Sequence, residues 1–184
     1  MIARMKSRAS LVVICALFTH PVFAGQKSQA VAGERLLTDS TEIAVGEVVG
    51  QKSEWTEDHR MILTRYTLRV EKSIKGAAGT TLEITEYGGV VENDATYVSH
   101  AVSYVPGRKY LVFAKADSLG RLRTFGGPNG SLPVFVEKDG RSVVRLYSSH
   151  PLAALLRERS TLWDLDALTV RLRALMSDRG IQDK

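Results

Sequence analysis

Residues 61–72 read MILTRYTLRVEK, and within them Tyr66, Leu68 and Val70 alternate with Arg65, Thr67 and Arg69. A period of two places the first set on one side of an extended chain and the second on the other. That is the mark of a half-buried strand in an antiparallel sheet. Upstream, Ile43, Val45, Val48 and Val49 form a strand, and Gly46 within it predicts a bulge or a close backbone approach. The two runs are joined by the polar turn QKSEWTEDHR at 51–60, which holds one large aromatic, Trp55.

Downstream the texture stays strand-like and is punctuated by glycine. Lys75-Gly76 and Gly79 lead into a third strand through Leu82 and Ile84, which Gly88-Gly89 ends. A fourth strand is expected through Tyr97, Val98, Ala101 and Val102, followed by the Pro106-Gly107 turn. YLVFAKAD from Tyr110 is apolar enough for a central strand, returning after Ser118–Gly120 through Leu122 and Phe125. GGPNG at 126–130 is a glycine-rich bend, and the Asp139-Gly140 turn joins strands at 132–136 and 143–147. Several short, closely spaced strands predict a mainly β fold over 41–148, a small antiparallel barrel or sandwich.

The C-terminal segment, 149–180, changes period. His150-Pro151 opens a short helix through Leu152, Leu155 and Leu156. Thr161 and Asp164 have the spacing of a capping box, and Leu162, Leu165, Leu168, Leu172, Leu175 and Met176 share one helical face beyond them. This amphipathic helix is expected to pack on the β domain, which needs the cover. Lying on a membrane or docking to a partner are the alternatives.

At the other end, Arg4, Lys6 and Arg8 precede an apolar run from Leu11 to Phe18, and Val22 and Ala24 supply the small residues of a cleavage site. The expectation is a signal peptide over 1–24 and an exported protein, periplasmic or secreted. The run is shorter than the roughly 20 residues a membrane span needs. Residues 25–40 are small and polar, a flexible lead-in with room for a helical turn around Leu36 and Leu37. The only cysteine, Cys15, falls inside the signal, so the mature chain is expected to hold no disulfide and no thiolate metal ligand. The signal also carries three of the 25 basic residues and none of the 20 acidic ones. What remains is 22 against 20, too even a balance for a nucleic-acid binder.

VGEVVGQKSEWTEDHR, TRYTLRVEKSIKG, Gly88-Gly89, VPGRKYLVFAKADSLGRLR and GGPNGSLPV together resemble a recurrent domain of uncharacterised exported bacterial proteins, across roughly 42–136. A more distant likeness is to oligomer-binding (OB) and netrin-like barrels. The resemblance implies a barrel-like fold and carries over no known activity or catalytic residue. Secreted protease inhibitors built on such barrels rely on an N-terminal cysteine, whereas Gly25 is expected to start this mature chain.

Candidate chemistry is sparse. Glu54, Glu57 and Asp58 flank Trp55 in one turn, a set that can bind sugars or calcium, or serve as a plain solvated hairpin tip. Glu92, Asp94 and His100 would meet a metal only if 88–99 folded back on itself, and no metal or cofactor is expected. No serine lies in a GxSxG elbow, so Ser99 or Ser103 with His150 and Asp58 is a triad in composition alone. GGPNG lacks the lysine of a phosphate loop. Arg65, Arg69, Lys109, Arg121 and Arg123 with Tyr66, Tyr97 or Tyr110 would make a basic aromatic groove if their strands were neighbours. The alternative is the outer face of a sheet with acidic partners across the strands. The reading that emerges is a non-enzymatic binding or interaction module of the cell envelope, presenting loops 51–60, 88–96 and 126–131 to a protein or glycan. Its candidate contacts are Glu54, Trp55, Asp58, Arg65, Arg69, Arg121 and Arg123. A small hydrolase or metal-dependent enzyme is the alternative.

Overall fold

The computed structural model describes residues 32–157 and 161–181; the expected export signal at 1–24 lies outside them, as do 25–31 of the lead-in. Two long strands, β1 (Glu42–Trp55) and β2 (Ile62–Lys75), pair antiparallel as a hairpin. Their register shifts at Ile43/Ala44, Val45/Gly46 and Val48/Gly50. Each shift inserts an unpaired residue that bends and twists the ribbon. Gly46 sits at one of them, where a Cβ would stand 2.8 Å from the Arg69 carbonyl oxygen. Both the bulge and the close approach expected of this glycine are present.

The remaining strands are β3 (Thr81–Tyr87), β4 (Gly89–Val91), β5 (Asp94–Thr96), β6 (Lys109–Ala116), β7 (Leu122–Thr124), β8 (Ser131–Val136), β9 (Ser142–Arg145) and β10 (Leu162–Asp164). The main sheet runs β10-β9-β8-β6-β1-β2-β3, with β7 on β6 beside β8, and β4 and β5 form a separate two-stranded ribbon. Among the described residues the α-helices are α1 (Gly33–Thr38), α2 (Pro151–Leu156) and α3 (Leu165–Ser177), with a 3₁₀ turn at Gly127–Gly130.

The apolar run of β6 is explained by burial on both faces. Leu111 and Phe113 point with Ile43 and Val45 of β1 into a core roofed by Leu36, Leu37, Leu152, Leu156, Leu168 and Leu172. Tyr110, Val112 and Ala114 point the other way, with Ala44, Val48, Tyr66, Leu68 and Ile84. Each large apolar side chain so buried contributes about 1.5–3 kcal/mol. The alternation read from 61–72 is the one observed: Tyr66 and Leu68 are buried, with Val70 packed against the same cluster.

The fold is mainly β with an antiparallel sheet, as expected, but that sheet is large and is not a closed barrel. Its curl brings β3 and β7 together without strand pairing. The Thr124 amide donates to Glu86 Oε1 at 2.8 Å across that seam. Side chains bridge it in place of a backbone ladder.

Three local expectations are corrected. Part of the lead-in is anchored, because α1 buries Leu36 and Leu37 completely. The fourth strand expected at 97–102 is absent; 97–108 is irregular chain that tucks Val102 and Tyr104 against the second face of the sheet. The last helix starts later than the Thr161 box implied. Leu162–Asp164 pair with β9, and the Asp164 carboxylate caps α3 by accepting from the Asp166 and Ala167 amides at 3.0 Å. Leu162 is therefore half-exposed on a strand, whereas Leu165, Leu168, Leu172, Leu175 and Met176 are buried against the sheet. Among the described residues no helix is long and apolar enough to cross a membrane.

Candidate functional site

The concave feature of most consequence is created where β3 leaves the sheet. Gly88 and Gly89 take φ of +94° and +142°, conformations that side chains rarely adopt. The turn is fixed by hydrogen bonds: the Gly88 amide donates to the Ile62 carbonyl at 2.8 Å, and Thr64 Oγ1 donates to the Gly88 carbonyl at 2.7 Å. Ser53 Oγ and Thr64 Oγ1 lie 2.9 Å apart beneath Gly89, filling the space a Cβ would need. The glycine pair thus folds the β4–β5 ribbon back beside β1 and β2.

Between that ribbon, the β1–β2 hairpin and segment 97–104 lies an open cleft of about 480 Å³. Its inner wall is made by the buried Thr64, Tyr66, Val102 and Tyr104. Its rim carries Tyr87, Val90 and Tyr97, with Tyr97 89% exposed. Gln51, Ser53 and Ser103 add polar groups, and no lining residue is charged.

The inner tyrosines are held rigidly. Tyr104 packs edge-on against both Tyr66 and Tyr110, with centroids 5.1 and 5.0 Å away. Its hydroxyl shares a 2.5 Å hydrogen bond with Thr124 Oγ1. Ser103 and the Tyr104 backbone lie near the Tyr66 hydroxyl and partly offset the effect of its burial. Burial raises the pKa of both phenols, so they present neutral hydroxyls across the ordinary pH range.

Behind the cleft sits a buried charge pair. Arg123 on β7 lays its guanidinium over the Tyr87 ring, 3.3 Å from the centroid, and reaches Glu86 at 3.7 Å. Burial pushes the Glu86 carboxyl above the usual carboxylate range, outweighing the bonds from Thr124 and the charge of Arg123. Arg123 Nη1 is buried without a hydrogen bond. Two of the cleft's tyrosines, Tyr87 and Tyr104, are therefore fixed from the rear by the consecutive residues Arg123 and Thr124.

Of the residues singled out in the sequence, Tyr66, Tyr97 and Ser103 line the cleft and Arg123 lies beside Tyr87, whereas the others are placed elsewhere. Glu54 bonds Arg65 and is reached by Lys52, and Arg69 bonds Glu47. Lys109 pairs with Glu71 at 2.6 Å and Arg121 with Asp117 at 2.8 Å. Every cation of the expected groove thus has a carboxylate beside it, and the groove does not assemble. Strand register explains why: Arg65 and Arg69 alternate with Tyr66 and so face away from it. Arg123 alone approaches the cleft. Trp55 stacks on His59 at 5.9 Å, and Asp58 accepts from Thr56 Oγ1 at 2.6 Å within the hairpin turn. Those contacts are those of a self-contained loop tip.

Glu92 and Asp94 lie on the β4–β5 ribbon, exposed, and among the described residues no three His, Cys, Asp or Glu side chains gather closely enough to hold a metal ion. Ser99 Oγ and His100 Nδ1 are 3.3 Å apart on an exposed turn, since 97–102 is not the strand that would have separated them. His150 cannot join them. Its Nε2 donates to the Asn129 carbonyl at 3.0 Å and its Nδ1 accepts from the Leu152 amide at 3.2 Å, capping α2. Burial lowers its pKa, in keeping with the neutral ring this bonding needs.

Of the three expected loops, 88–96 forms one wall of the cleft and the 51–60 turn contributes Gln51 and Ser53 at its start. Loop 126–131 contributes nothing to the lining; its Gly127 lies close to the His100 carbonyl. Sequence reasoning missed Thr64, Tyr87 and Tyr104 as lining residues. The signal available was the glycine pair together with the tyrosines spaced along 66–104. Compared with known proteins, the chain matches no family model, no curated protein and no solved structure.

Proposed function

We propose that this chain is an exported binding module of the cell envelope, and that the cleft beside Gly88-Gly89 holds its ligand. One observation carries the reading: an open cleft with tyrosines on its wall and rim and no charged lining residue. Ligand sites are commonly concave, about 300–1,000 Å³, largely apolar and aromatic, with a few fixed polar groups. This cleft has that size and makeup, and three of its tyrosines, Tyr66, Tyr87 and Tyr104, are preorganised by contacts made before any ligand arrives. The absence of lining charge favours an uncharged ligand, because a buried ion would find no counter-charge. Kinship with oligomer-binding and netrin-like barrels is part of the proposal. The curl that brings β3 to β7 supports it.

A crystal-soaking screen with matched neutral and charged ring compounds tests the reading. Neutral compounds should occupy the cleft between Tyr87 and Tyr97 and charged ones should not. Hits confined to other surfaces would refute it.

A further inference from the structure

We infer that the ligand is a short neutral saccharide, stacked on Tyr97 and Tyr87 and hydrogen-bonded by Gln51, Ser53 and Ser103. The inference rests on the cleft being the ligand site and goes further by naming what enters it. A pyranose ring has an apolar face of C–H groups and a rim of hydroxyls that both donate and accept. It therefore asks for an aromatic surface flanked by neutral polar groups. The cleft supplies both. Tyr97 is 89% exposed and Tyr87 39% exposed, so both rings are open to stacking at the rim. Tyr87 is kept from swinging by the Arg123 guanidinium, 3.3 Å behind it.

The polar groups are of the right kind. Gln51 offers an amide that donates and accepts, and Ser103 an exposed hydroxyl. Ser53 Oγ has one bond, to Thr64, and retains capacity for another. Competing ligand classes fit less well. A phosphate or carboxylate would meet no cationic side chain in the lining, and its best partner, an arginine fork, is missing there. A lipid chain would bury these hydroxyls and the Gln51 amide without replacing their bonds to water.

The test is calorimetric titration of the purified protein with three neutral trisaccharides: maltotriose, cellotriose and N,N′,N″-triacetylchitotriose. Glucose 6-phosphate serves as the charged probe and N-acetyltyrosinamide as a neutral ring that is not a sugar. At least one trisaccharide should bind, with an affinity indifferent to salt between about 50 and 500 mM. Tyr97→Ala should weaken it about tenfold or more, as expected when an aromatic anchor is truncated. Tyr97 is exposed, so this variant should fold, and an unchanged melting temperature confirms that it has. If N-acetyltyrosinamide binds in a Tyr97-dependent way and no trisaccharide does, the saccharide inference is overturned and the cleft survives as a ligand site. If no probe responds to Tyr97→Ala, both fall. Preferential binding of glucose 6-phosphate would also overturn the inference.

Discussion

Replacing Gly89 by alanine should destabilise the protein by about 2–6 kcal/mol, and the structure shows where the cost arises. An alanine Cβ would stand 2.8 Å from Ser53 Oγ and closer still to Thr64 Oγ1. Neither hydroxyl is free to move away. Thr64 Oγ1 donates to the Gly88 carbonyl at 2.7 Å, and Ser53 Oγ lies 2.9 Å from Thr64 Oγ1. Displacing them sacrifices two hydrogen bonds at about 0.5–1.5 kcal/mol each. Holding a non-glycine residue at φ +142° adds about 1–3 kcal/mol. Equilibrium urea unfolding measures the total, with Gly79→Ala as control, since a Cβ there meets nothing within 4 Å. Combining Gly89→Ala with Thr64→Ala separates the two causes. Removing the Thr64 hydroxyl relieves the closer clash but not the backbone strain, so the pair should couple by about 1 kcal/mol or more. A Gly89→Ala variant within about 0.5 kcal/mol of the parent, or strict additivity with Thr64→Ala, would refute the reasoning.

Other outcomes follow from the same packing. Leu168→Ala empties a fully buried site under α3 and should cost about 2–5 kcal/mol in urea unfolding. Asp164→Ala removes the acceptor for two amides and should cost about 1 kcal/mol, whereas Thr161→Ala should be nearly silent. His150 has a lowered folded pKa, so the unfolded chain takes up the proton first. Stability should be fully present above about pH 6.5 and decline as the pH falls below it. That slope should shrink in His150→Asn, which keeps a capping side chain but does not titrate. Glu86 has the opposite sign: its folded pKa is raised, so the folded chain holds the proton longer. Its contribution to stability should be lost as the pH rises through the window above about 4.5, and Glu86→Gln should lack that trend.

Much of the fold was legible because it is written in short-range patterns. The alternation at 61–72, the apolar YLVFA run and the leucine spacing of 165–176 each report a local period, and each element formed. What could not be read was set by contacts distant in sequence. Leu36 and Leu37 looked like a stray apolar pair in a polar stretch, yet they meet α2 and α3 residues more than a hundred positions away. Leu162-Trp163-Asp164 continued a helical pattern, but the free edge of β9 captured it as a strand. Segment 97–104 had strand-like composition because Val102 and Tyr104 bury themselves beneath it without pairing.

The candidate site divides the same way. Tyr66, Tyr97 and Tyr110 were recognisable as an aromatic set, and strand alternation then parted them from the arginines expected to accompany them. The cleft draws its lining from 51 to 104, and the Gly88-Gly89 turn brings the β4–β5 ribbon to the paired β1 and β2. That turn was read as the end of a strand, which it is. Its larger effect, folding the β4–β5 ribbon back toward Ser53 and Thr64, depends on partners that no local pattern names.

The most direct test of the ligand cleft is an amide chemical-shift map of the protein titrated with the neutral trisaccharides. The account predicts dose-dependent shifts grouped at Gln51, Ser53, Gly88–Val90 and Tyr97–Tyr104, with α3 and the β8–β9 hairpin unmoved. Shifts centred on α3 or on the Trp55 turn, or none at saturating saccharide, would contradict it.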